Sequence, residues 1–165
     1  MEVAIRFAHQ NDIPAILEIV NHEIKHSTAL YDYNERNLET QIQWFNSKCE
    51  TGFPVIVAHI EGVLMGFGSY GLFRPWDAYR FSVEHSIYIH QKAQGKGVGT
   101  QLLTALINLA KKEGYHTMIA GIDALNKGSI GFHKKFGFVE VGTIKAAGFK
   151  FDTWLDLTFL QLMLK

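Results

Sequence analysis

The chain has 165 residues, 47% of them apolar, with 16 basic and 16 acidic side chains and no net charge. This length and composition predict one compact α/β-sized domain and exclude a disordered chain, and the charge balance excludes a nucleic-acid binder that works by neutralising phosphates along a basic face. Cys49 is the only cysteine, so an internal disulfide and a thiolate metal cluster are both excluded, which fits a reducing compartment.

The elements can be read in chain order. MEVAIRFAHQND has no apolar leader core, and no run of about 18 apolar residues occurs anywhere, so a soluble, cytoplasmic protein is expected. Val3, Ile5 and Phe7 alternate as a first strand. Asn11 or Asp12 can cap the helix that follows, with Pro14 in its first turn and Ile13, Leu17, Val20 and Ile24 along one apolar face. A second helix is predicted from Leu38 to Cys49, with Ile42, Trp44 and Phe45 inward. Phe53 to Ile60, a Glu61-Gly62 turn and Val63 to Tyr70 read as a hairpin.

Phe81 to Ile89 alternates strictly, placing Phe81, Val83, His85, Ile87 and Ile89 on one face and Ser82, Glu84, Ser86 and Tyr88 on the other, barring a bulge. A helix carrying Val98, Leu102, Leu103, Leu106 and Leu109 ends at Gly114. Thr117 to Gly121 is a short strand, Asn126 to Phe136 a helix, and the remainder two strands. The predicted order is β-α-α-β-β-β-α-β-α-β-β, a mixed α/β fold.

Two stretches carry chemical signals. His22-Glu23-Ile24-Lys25-His26 spells H-E-x-x-H, which in a zinc protease holds the metal and activates water. Histidines at i and i+4 share a helix face, but Lys25 puts a cation beside the would-be metal and no distinctive third ligand follows, Glu39 and Glu50 being the acids available. A polar helix face accounts for the string better than a zinc site does. The second stretch is Gln94-Gly95-Lys96-Gly97-Val98-Gly99-Thr100, between a strand and an amphipathic helix. Glycines let backbone approach a ligand, and free N–H groups at a helix start hold anions. It is neither a Walker A loop nor G-x-G-x-x-G, and a purely structural turn remains an alternative.

Gln94-x-x-Gly97-x-Gly99, opening a helix after a strand, resembles the acyl-CoA loop of the GNAT superfamily of N-acetyltransferases. Asn126, Ser129, His133 and Gly137-Phe138 follow at the spacing of that superfamily's N-x-x-[AS]-x-x-x-[YH]-x-x-x-G-F pattern. With VEHSIYIH, GFHKKFGF and AAGFKFDTWLDLTFLQL, the likeness extends over essentially the whole chain to the phosphinothricin/methionine sulfoximine N-acetyltransferase branch. The resemblance implies a single GNAT-like domain over residues 1–165, with a mixed central sheet flanked by helices. It further implies acetyl-CoA as cosubstrate without a metal, a small-molecule amine as acceptor, and a homodimer. A protein N-terminus or another metabolite amine is the alternative acceptor, and a non-catalytic acyl-CoA-binding module the alternative class.

Roles follow from the same resemblance. Glu84 would be the base that deprotonates the amine, against a plain strand residue facing solvent or an arginine. The Ile87 N–H would stabilise the oxyanion, with Tyr88 and Ile89 pairing with the pantetheine arm and the backbone from Gln94 to Thr100 holding the diphosphate. His133 would protonate the leaving thiolate or pack beside the sulfur, and Asn126 would contact the pantetheine or cap its helix. From the residues themselves, FRPWDAYRF (73–81) offers Arg74 or Arg80 to grip an acceptor carboxylate, with Trp76 and Tyr79 flanking its side chain, unless these arginines make surface or dimer contacts. The resemblance puts Asp77, Ala78, Tyr79, His85 and Ser86 nearby. Trp154 and Asp156 would complete the pocket, alone or from a second subunit, or serve as core and edge-strand residues.

Overall fold

The computed structural model describes residues 1–165, and the elements appear in the expected order. They are β1 (Val3–Phe7), α1 (Ile13–His26), α2 (Leu38–Thr51), β2 (Val55–Ile60), β3 (Val63–Leu72), β4 (Ser82–Ile89), α3 (Val98–Lys112), β5 (Thr117–Asp123), α4 (Lys127–Lys135), β6 (Val139–Lys150) and β7 (Thr153–Met163). The seven strands form one sheet of order β1-β2-β3-β4-β5-β7-β6. Every neighbouring pair is antiparallel except β4 and β5, which are parallel and joined through α3, as a parallel pair requires a crossover.

Helices cover both faces, so the central strands are apolar on both sides. In β2, Val55 and Val57 pack with α1 and Phe45 of α2, while Ile56, Ala58 and Ile60 join α3 on the opposite face. Complete burial of Leu102, Leu103 and Leu106 on α3 stabilises that packing by about 1.5–3 kcal/mol per side chain. On α1 the buried stripe is Ile13, Ile16, Ile19, Val20 and Ile24, with Leu17 only half-buried on its flank. Asp12 stands at the helix start but does not cap it. Its carboxylate instead accepts a fork from Arg6 at 2.7 and 2.8 Å and the His9 N–H at 2.9 Å, and these charges hold it below the usual carboxylate range against the cost of burial. The β2–β3 turn has Glu61 and Gly62 both at positive φ, the two-residue geometry that matches strand twist.

β4 keeps an unbroken register with β3 from Val83 to Ile89, so no bulge disturbs its alternation. Val83, Ile87 and Ile89 pack on the α3 side and Tyr88 on the α1 side. No helix is long and apolar enough to cross a membrane.

Candidate active site

β4 and β5 pair only through Ser82–Thr117, Val83–Met118 and Glu84–Ile119. Beyond Glu84 the two strands diverge, although β4 continues to Ile89 and β5 to Asp123. A cavity of about 1140 Å³ occupies the widening. Its wall runs from Thr28–Tyr31 and Glu23 at one end, past Glu84 to Ile89 and Ala120 to Asp123, to the start of α3 and Asn126, Ser129, Phe132 and His133 at the other. This exceeds the usual range of roughly 300–1,000 Å³ for a compact ligand and suits a long one with two distinct ends.

At the α3 end, Gly95 and Gly97 adopt φ of +74° and +82°, which side-chain-bearing residues rarely adopt, and a Cβ at either would meet nothing within 4 Å. The loop is therefore bent by glycine with its backbone bare. Gly97 provides no side-chain cap, and no protein group accepts from the N–H groups of Val98, Gly99 and Thr100. These unsatisfied donors at the positive end of a 15-residue helix form an anion cradle. Gly99 serves a different purpose: a Cβ there would lie 2.9 Å from Ile89 Cδ1, so glycine lets α3 seat against the end of β4. Asn126 Oδ1 accepts the Ser129 N–H at 3.1 Å and caps α4, which occupies one lone-pair oxygen and leaves its amide N–H groups for a ligand.

At the middle of the cavity stands Glu84. Its carboxylate has no hydrogen-bond or ion-pair partner in the protein. Burial pushes its pKa above the ordinary value, with Arg74 opposing. A partly desolvated carboxylate with unoccupied lone pairs is a competent proton acceptor. The far end is acidic: Glu23 accepts from Ser27 Oγ, and Asp123 accepts from Thr28 Oγ1 and the Leu125 N–H. With Glu84 at the middle, three carboxylates against Arg74 favour a cationic guest between the middle and that end. Tyr88, beneath the strand, is pushed up to about 12 by burial.

Comparison with known proteins identifies this arrangement. The acetyltransferase (GNAT) family model matches residues 14–138. The chain belongs to the GNAT acetyltransferase family. It is 41% identical over 162 residues to an L-methionine sulfoximine/L-methionine sulfone acetyltransferase of Salmonella typhimurium (strain LT2), covering 98% of this chain and 95% of that one. A crystal structure of an N-acetyltransferase from Staphylococcus aureus Mu50 superposes with TM-score 0.98 at 45% identity, over 100% of both chains. A GNAT superfamily phosphinothricin acetyltransferase from Sinorhizobium meliloti, solved in complex with AcCoA, superposes with TM-score 0.95 at 35% identity, over 99% of this chain and 89% of that one.

Within this GNAT fold the residues singled out from sequence divide clearly. Glu84, His85, Ser86, Ile87, Tyr88, Ile89, Gln94, Gly95, Gly97, Val98, Gly99, Thr100, Asn126, His133 and Arg74 all line the cavity. Lys96 is exposed and outside its wall. Asp77, Ala78 and Tyr79 form a short 3-10 turn beyond the wall, and Arg80 follows with its guanidinium over the Phe81 ring. Trp154 is exposed against Phe149, and Asp156 binds Lys145 Nζ and the Ala146 N–H, neither reaching the cavity. His85 and His133 meet directly, Nε2 to Nε2 at 3.0 Å. In the H-E-x-x-H string, His22 and His26 pack ring on ring 4.7 Å apart, and no group of three His, Cys, Asp or Glu side chains assembles that could hold a metal. Glu23 instead lines the acidic end of the cavity, a placement that the string itself did not reveal.

Proposed function

We propose that this GNAT chain transfers an acetyl group from acetyl-CoA to the α-amino group of an amino acid or analogue, with methionine sulfoximine and phosphinothricin as first candidates. The reading is carried by one observation: β4 leaves β5 immediately after Glu84, so an unpartnered carboxylate and an unpaired strand edge share a cavity with the uncapped start of α3. The free N–H groups of the 95–100 segment hold the diphosphate, and the backbone of Ile89 pairs with the pantetheine arm along the free edge of β4, whereas Tyr88, expected to share that role, turns its carbonyl oxygen toward Gly66 of β3. The Ile87 N–H donates to the thioester oxygen as charge develops. Amines have pKa values of roughly 8–10 and are mostly protonated at neutral pH; Glu84 removes that proton, directly or through water. Arg74 meets the acceptor's carboxylate while the acidic wall favours its ammonium.

A thiol-release assay with acetyl-CoA and a panel of amines tests the reading. CoA release that depends on methionine sulfoximine, phosphinothricin or an L-amino acid is expected. Release only with peptide N-termini would replace the acceptor class, and binding of acetyl-CoA without amine-dependent release would replace catalysis by a binding role. We further place the protein in the cytoplasm, which the free Cys49 suits, and as a homodimer through edge strand β6, where Val139, Val141 and Ile144 are exposed.

A further inference from the structure

We infer that His85 is a positioning residue that locks His133 in one neutral tautomer and blocks the nitrogen through which His133 would pass a proton to the departing sulfur. This rests on the acetyltransferase reading above, and concerns how that reaction ends.

The argument is an account of hydrogens. His133 Nδ1 lies 2.7 Å from the Ser129 carbonyl oxygen, with Ser129 Oγ farther off at 3.5 Å. A carbonyl can only accept, so Nδ1 carries the hydrogen. In a neutral ring Nε2 is then a bare lone pair, and the group facing it at 3.0 Å is His85 Nε2. Two bare nitrogens would repel at that distance, so His85 Nε2 must carry a hydrogen and donate it. His85 Nδ1 is left without a hydrogen; it is buried, and no protein donor reaches it. Each ring is thus neutral, and the order of protons runs His85 Nε2–H to His133 Nε2, then His133 Nδ1–H to Ser129.

The surroundings keep it so. The rings meet each other, Phe132 of α4 and Phe138 beyond it. Across β3 the neighbour in register is Tyr70, whose hydroxyl donates to Glu113. No carboxylate or ammonium acts on either imidazole. Burial and the adjacent His133 push His85 down to about 3, and burial lowers His133 against the pull of the Ser129 carbonyl. A proton added to His133 Nε2 would turn His85 into the acceptor and force its own hydrogen onto the buried, partnerless Nδ1.

Both nitrogens of His133 are therefore committed, and the sulfur must find its proton elsewhere. After Glu84 has taken one proton, the neutral amine forms the N–C bond and the carbonyl π pair moves to oxygen. The adduct nitrogen is then an ammonium. As the C–S bond breaks with its pair going to sulfur, the adduct nitrogen gives up its second proton to that sulfur, leaving an amide and a free thiol.

The full-length protein labelled with ¹⁵N-histidine decides this by long-range ¹H–¹⁵N spectra. The expected result is His133 protonated at Nδ1 only and His85 at Nε2 only, unchanged across the neutral range. In His85→Leu the ¹⁵N signal of His133 Nε2 should move toward that of a bare lone-pair nitrogen as its donor is lost, while Nδ1 stays protonated toward Ser129. In kinetics, kcat should rise with pH to a plateau, and any alkaline limb should persist in His133→Phe. A hydrogen on His133 Nε2 in the wild-type spectra, or an alkaline limb in kcat that vanishes with the imidazole, overturns the proposal. If no amine is acetylated at all, the functional reading fails, whereas the spectra still decide the tautomers.

Discussion

Lys150 ends β6 and is 4% exposed. Its ammonium donates to Ser27 O at 2.8 Å and Leu30 O at 2.6 Å, across more than a hundred residues of chain. Beside it the Phe149 carbonyl accepts from the Tyr33 hydroxyl, and Gly148 lies so near Tyr31 that a Cβ would meet the ring at 2.8 Å. The end of β6 thus fastens the segment that gives Thr28, Ala29, Leu30 and Tyr31 to the acidic end of the cavity. Lys150→Met keeps most of the stem and removes both bonds. Each hydrogen bond from a charged donor is worth about 1.5–3 kcal/mol, for a gross loss of about 3–6 kcal/mol. Burial pushes the Lys150 pKa down, with Asp32 and Glu23 opposing, so a neutral side chain recovers part of a desolvation cost, and the net loss is about 2–4 kcal/mol.

That loss falls on a surface segment rather than on the core, so it should appear as local detachment before global unfolding. The KM for the amine acceptor should rise at least about tenfold, the effect of losing about 1.4 kcal/mol from the closed state, while the KM for acetyl-CoA stays nearly constant. Initial rates with each substrate varied in turn measure the split, and hydrogen exchange over residues 27–33 should speed up in parallel. Unchanged KM values for both substrates, or a rise confined to acetyl-CoA, would refute the fastening role.

Two further substitutions probe the proposed role of the Glu84 carboxylate. Glu84→Gln should lower kcat/KM by about 10²–10⁴, the usual worth of a positioned base, yet raise thermal stability. A carboxyl whose folded pKa is raised contributes stability that is fully present below its unfolded pKa and lost as pH rises through the folded value. Calorimetry should therefore show Gln gaining over Glu at neutral pH, with the gain vanishing in acid. Arg74→Gln removes the cation that opposes that shift, so the acidic limb of kcat/KM should move to higher pH. The same variant should raise KM for amino acids while leaving the corresponding decarboxylated amines little changed, a difference seen in parallel steady-state assays.

What the sequence made legible was whatever its own periodicity determines. The alternation survives from Ser82 to Ile89, with Phe81 exposed in the turn before β4, because helices bury both faces of that strand, so a one-residue slip would misplace every side chain. The glycine loop is legible for a similar reason, since its positive φ angles and bare backbone demand that residue type. The acidic wall was not. Glu23, Thr28 to Tyr31 and Asp123 come together through long-range contacts, Thr28 with Asp123 and the end of β6 with the α1–α2 connection, and nothing local to any of these segments announces them. Asp12 shows the same limit on a smaller scale: it sits where a cap belongs, but Arg6 on the neighbouring strand competes for its oxygens and wins with two charged bonds.

The position of the cavity follows from how the two central strands are held. β4 is laddered to β3 along seven residue pairs, and β5 to β7 along seven more, whereas β4 and β5 share only three. Each strand is thus fixed by its outer neighbour, and the inner edges can part without either losing its place. Parting exposes backbone donors and acceptors that an ordinary sheet would pair, a cost that persists only if some other group satisfies them. The same divergence leaves Glu84 as the last paired residue, rigidly held yet open to the cavity, between the start of α3 at one end and the acidic wall at the other. Anion cradle, strand edge and the unpartnered Glu84 carboxylate are therefore brought together at one interruption in one ladder. Re-pairing β4 with β5 beyond Glu84 would remove all three together.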